Sequence, residues 1–92
     1  MHALVVTIRA PLRREDLPGL FTRVCGLLEA DAPEVVLCDV SGHEPDLVAV
    51  EALTRLQLAA RRRGCCVRLA GASSELLDLV GFLGFEAALP AD

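Results

Sequence analysis

Val35-Val36-Leu37-Cys38-Asp39-Val40-Ser41-Gly42, followed by His43-Glu44-Pro45-Asp46 and a helical run up to Gly64, is the stretch whose reading decides the fold. Its start is apolar and rich in β-branched residues, bounded by Pro33 on one side and Ser41-Gly42 on the other. That profile predicts a strand buried on both faces, as in a parallel sheet. Asp46 stands where a helix N-cap belongs, and the helix is expected over 47–63, stopping at Gly64. Ligands and partners of open parallel sheets gather at the carboxyl ends of the strands. The loop 39–46 and the first turn of the following helix are therefore the expected working region.

Working outward, residues 4–8 predict a first strand, with extension to Ala3 and Arg9, and Pro11 ends it. Glu15 or Asp16 can cap the next element, and Pro18 falls near its first turn, where proline is tolerated. Leu20, Phe21, Val24, Leu27 and Leu28 recur at three- and four-residue steps and predict a helix to about Ala30. Gly19 and Gly26 weaken that helix, so packing on the sheet must hold it. In the central helix Ala49, Val50, Leu53, Leu56, Gln57 and Ala60 share a face, apolar except for Gln57. Glu51 and Arg55 have the spacing of a weak ion pair on the opposite face, and Leu58 continues neither stripe. Residues 66–70 predict a third strand, turned at Gly71. Ser73 or Ser74 caps a last helix carrying Leu76, Leu77, Val80 and Leu83, with Gly84 at its C′ position. Residues 85–89 read as a short final strand ended by Pro90. The order β-α-β-α-β-α-β predicts one small α/β domain over 1–92, a mainly parallel four-stranded sheet covered by helices.

The 92 residues include 53% hydrophobic side chains but only three phenylalanines and no other aromatic, so the core must be aliphatic. A surface this apolar leaves a patch for a partner, and self-association is one expectation. The net charge is −4 and the nine cations are all arginine, which gives no basic footprint for nucleic acid. Arg61-Arg62-Arg63 falls in the last turn of the central helix, where cations meet the helix dipole favourably. No apolar run reaches transmembrane length and the first ten residues lack the pattern of a secretory leader, so a cytoplasmic protein is expected. Cys25, Cys38, Cys65 and Cys66 have neither CxxC nor metal-ligand spacing and read as small buried hydrophobes in a reducing compartment, with no metal and no cofactor.

Motifs for several chemistries are missing. The sequence holds no P-loop, no G-x-G-x-x-G dinucleotide fingerprint and no G-x-S-x-G elbow. Lacking any lysine, it cannot build the phosphoacceptor pocket of a two-component receiver. His43, beside Glu44 and Asp46, is the one candidate catalytic base; the plainer reading is a solvated loop histidine.

Taken together, five segments in order resemble the STAS family, the small domains named for sulfate transporters and anti-sigma factor antagonists. Residues 35–42 resemble its apolar strand, aspartate and small-residue turn, and Asp46 matches the aspartate that opens its central helix. Residues 53–64 look like its helix-to-glycine exit, 69–76 like the strand and cap that follow, and 79–85 like its leucine-rich last helix. The resemblance implies a non-enzymatic module that captures an anti-sigma factor kinase, which switches it off by phosphorylating a serine just after the helix-opening aspartate. Here 46–49 reads Asp-Leu-Val-Ala, so Val48 occupies the acceptor position. Ser41, Ser73 and Ser74 are the nearby hydroxyls, each also a natural turn or cap residue. STAS-like domains also serve as cytoplasmic accessory subunits of ABC-type lipid or solute transporters, which is the alternative reading. A small phosphotransfer enzyme using His43 is a third.

The resemblance and the helix position together give a candidate partner surface. Leu47 and Val48 sit at the first two positions of the central helix, before its core stripe begins. Leu47 either packs down as a staple on the preceding loop or faces outward. The expected patch combines Leu47, Val48 and Leu58, rimmed by His43, Glu44 and Glu51, with Asp39, Ser41 and Asp46 shaping the loop beneath it.

Overall fold

A computed structural model describes residues 2–91. Strands β1 (Ala3–Thr7), β2 (Val35–Asp39) and β3 (Cys66–Ala70) form a parallel sheet in the order β1-β2-β3. Helices α1 (Leu17–Asp31), α2 (Leu47–Arg62) and α3 (Ser74–Phe82) follow them in turn, and a 3₁₀ turn over Arg14–Asp16 leads into α1. The boundaries follow local chemistry. Asp46 is extended at φ −143° and caps α2 by accepting from the Val48 N–H at 3.0 Å. Gly64, at φ 78°, takes the left-handed turn that ends α2. Ser73 caps α3 by accepting from the Leu76 N–H at 3.1 Å.

Neighbouring strands are consecutive in the chain, so right-handed crossovers carry the helices over the same face of the sheet. The burial pattern agrees. Val6, Val36, Cys38, Val67 and Leu69 point to that face and are buried with Val24, Leu28, Leu53, Leu56, Leu76 and Val80 from the helices. The residues between them on the strands point the other way and are exposed or half-buried. Residues 35–38 are therefore buried on one face only, which corrects the two-face reading of their apolar run. The shortest molecular extent, 19 Å, is the depth of one sheet and one helix layer.

Among the described residues the sheet has three strands rather than the expected four. Residues 85–89 form turns, with Leu89 N–H donating to the Phe85 carbonyl at 2.9 Å, and residues 90–91 meet β3 through an isolated Leu69–Ala91 bridge, Leu69 N–H donating to the Pro90 carbonyl at 2.9 Å. The reason is Gln57. Its Oε1 accepts from the Val67 N–H at 2.8 Å, and its Nε2 donates to the carbonyls of Val67 at 3.0 Å and Ala88 at 2.7 Å. The side chain takes the hydrogen bonds that a fourth strand would have made at Val67. The lone polar residue in the apolar stripe of α2 is thus fully satisfied, as a buried amide must be.

Candidate functional site

Loop 39–46 leaves the carboxyl end of β2 and runs directly into the start of α2. Asp39 Oδ1 accepts from the Ser41 hydroxyl at 2.6 Å and from the Ser41 N–H at 3.0 Å. These bonds, the hydroxyl's foremost, hold the Asp39 carboxyl below its ordinary range. Gly71, at φ 70°, sits against this turn, and a Cβ there would collide with Ser41 Oγ. The β3–α3 connection thus closes directly over the Asp39–Ser41 pair.

His43 occupies a place the sequence reading did not foresee. It is 6% exposed, and its Nε2 lies 2.6 Å from the Ile8 carbonyl oxygen. A carbonyl offers no hydrogen, so Nε2 carries the proton and donates it. The backbone N–H of His43 also donates to the Val40 carbonyl at 3.1 Å. His43 is neither solvated nor on the rim of an exposed patch; it ties the end of β1 to the β2–α2 loop. A 410 Å³ cleft lies beside it, lined by Ala10, Pro11, Leu12 and residues 42–46. Among the described residues no group of His, Cys, Asp and Glu has the geometry to hold a metal ion.

The first turn of α2 divides its two apolar residues. Leu47 is 60% exposed, whereas Val48 is half-buried against the core. Leu58 is 56% exposed. Eleven residues of α-helix separate Leu47 from Leu58, about 20° in azimuth and about 16 Å along the axis, so both stand on one outward stripe. The polar side chains between them, Glu51, Thr54 and Arg55, contact other parts of the molecule, while Arg61 and Arg62 beside Leu58 are exposed. Glu51 is held by Arg14 Nη1 at 3.0 and 3.1 Å, rather than pairing with Arg55. Arg55 lies 5.9 Å over the Phe21 ring. Thr54 Oγ1 donates to the Val50 carbonyl at 2.8 Å. Glu44 is exposed on the loop.

The arginine triplet serves the helix end in part. Arg63 donates to the Ala59 carbonyl at 3.3 Å and to Glu29 at 3.1 Å. Cys38 and Cys65 are buried, while Cys25 and Cys66 are half-buried. Burial pushes the Cys38 thiol up to about 12 and raises Cys65 as well. Among the described residues no helix is long and apolar enough to cross a membrane.

No family model matches this chain, and no curated protein matches it either.

Proposed function

We propose that this protein is a STAS-like interaction module, cytoplasmic and non-enzymatic, that docks an anti-sigma factor through the outward stripe of α2. The observation that carries the reading is the pairing of Leu47 and Leu58 on one exposed stripe, with Glu51 and Thr54 between them hydrogen-bonded within the molecule and Arg55 over the Phe21 ring. Covering the two leucines removes apolar surface from water. The family reading rests on the sequence resemblance over residues 35–42, 46, 53–64, 69–76 and 79–85.

Val48, at the acceptor position, has no hydroxyl, and its backbone N–H is held by Asp46. The module is therefore constitutively competent at that site, without the off-switch that a phosphate at the helix start would provide. The non-enzymatic reading is supported by His43, whose Nε2 proton is committed to the Ile8 carbonyl.

Leu47→Asp tests the proposal. A negative charge at this first helical position suits the dipole, so the fold is retained while the stripe becomes anionic, as phosphorylation would make it. Affinity capture from native cytosol with wild-type protein is expected to recover a kinase-like anti-sigma factor, and L47D to lose it. Recovery of a transporter ATPase subunit instead would replace this reading with the accessory-subunit one. Equal capture by both proteins would exclude the α2 stripe as the surface.

A further inference from the structure

The sheet face opposite the helices has the composition of an interface. All-parallel sheets are ordinarily covered on both faces. Here β1, β2 and β3 present Ala3, Val35 and Cys66 in one row, Val5, Leu37 and Arg68 in the next, and Thr7, Asp39 and Ala70 in the last. Val5 is 62% exposed, and Leu37, Val35 and Cys66 are only half-buried although all are apolar. Two charges of opposite sign share this surface. Asp39 lies two residues beyond Leu37 along β2, and Arg68 lies beside Leu37 on β3, its Nη2 donating to the Ala91 carbonyl at 3.2 Å.

We infer that this face pairs with a second copy of the same chain, the two sheets crossing near a right angle about a two-fold axis through Leu37. The charge pattern selects that axis. A two-fold running along the strands would set Asp39 on its own copy, and one running across them would set Arg68 on its own copy. Both oppose like charges. Asp39 is displaced from Leu37 by about 6.6 Å along the strand and Arg68 by about 4.8 Å across it. A two-fold bisecting those directions therefore lays Arg68 on the copy's Asp39 and Asp39 on the copy's Arg68. The same operation lays Val5 on the copy's Val35 and Leu37 on itself, apolar on apolar. Such a contact is isologous, and orthogonal sheet packing is an established geometry.

The area sets the strength. Three strands of five residues cover about 240 Å², well under the roughly 800 Å² per partner of a stable complex. The pair is accordingly weak and concentration-dependent. It uses the surface opposite the α2 stripe, so it stands or falls independently of the proposed docking function.

Amide spectra of wild-type protein from about 10 µM to about 1 mM, with sedimentation equilibrium over the same range, test this inference. The expected result is a growing dimer fraction, with concentration-dependent shifts at Val5, Leu37, Asp39 and Arg68 and none along the outward stripe of α2. Leu37→Arg abolishes them. Asp39→Arg and Arg68→Asp each abolish self-association, and mixing the two restores a heterodimer, because every contact then opposes unlike charges. A chain that stays monomeric at the highest concentration overturns the inference. So do shifts confined to α2, or a failure of the mixed variants to associate while each retains a folded spectrum.

Discussion

Gln57 and Val67 hold one another twice: the side-chain oxygen of Gln57 accepts the Val67 N–H, and its nitrogen donates to the Val67 carbonyl. A single residue of α2 thereby satisfies both backbone groups of an edge-strand residue. Gln57→Leu keeps the volume and removes every bond, leaving the Val67 N–H and the Val67 and Ala88 carbonyls without their partner. The expected loss is about 2–4 kcal/mol, read as a lower urea midpoint at unchanged slope. The Ala88 turn should also gain hydrogen-exchange rate, since its tie to the core is gone.

His43 gives a second stability test. Because it is buried and donates to the Ile8 carbonyl, His43→Ala removes a packed ring and a cross-loop bond together. A destabilisation of about 2–3 kcal/mol is expected. An enzyme dependent on this histidine would lose turnover without losing stability, so denaturant melts separate the structural role from the catalytic one.

The Asp39–Ser41 pair predicts a pH dependence of known sign. Folding lowers the Asp39 pKa from its ordinary value of 3.8. The unfolded state then binds the proton more tightly, so the contribution is present above that value and is lost as pH falls through the folded-state pKa. Asp39→Asn should lose this part of the acid limb, and Ser41→Ala should move the Asp39 titration upward in a carboxyl NMR experiment, since the Ser41 hydroxyl is the main cause of the shift.

Thiol labelling should follow burial. With Cys38 pushed up to about 12, its thiolate is scarce at pH 8 and its sulfur is sealed in the core. Brief alkylation of native protein, followed by mass spectrometry, is expected to modify Cys25 and Cys66 first and to leave Cys38 unmodified until denaturant is added.

Gly71 offers a backbone test. Gly71→Ala meets both a left-handed φ and the Ser41 hydroxyl, so it should cost about 1–3 kcal/mol. Adding Ser41→Gly removes the collision but not the dihedral strain, and partial recovery in thermal melts is the expected outcome.

The parts of this architecture legible in the sequence are those written in neighbouring residues. Asp46 before Leu47, Gly64 after the arginines and Ser73 before α3 each act within one helical turn, and each does in the structure what its type implies. Relations between distant segments were not legible. The apolar run of β2 suggested cover on both faces because Val35 and Leu37 are as hydrophobic as Val36; only the direction of the crossovers shows that one set stays open. Arg14 displaces Arg55 as the partner of Glu51 from 37 residues away. His43 reads as a polar loop residue because its acceptor, the Ile8 carbonyl, carries no side-chain signature. Gln57 was visible as the one polar interruption of an apolar stripe, a signal that pointed to a buried partner without naming β3.

That amide has a consequence for how sheets of this kind could grow. The N–H groups of Val67 and Leu69 turn away from β2, and both are taken, one by Gln57 and the other by the Pro90 carbonyl. Among the described residues β1 has no strand on its outer side. Lateral joining through the sheet margins is therefore open only at β1, and two chains so joined present nothing but plugged borders. Extension into a fibre has no second site from which to proceed.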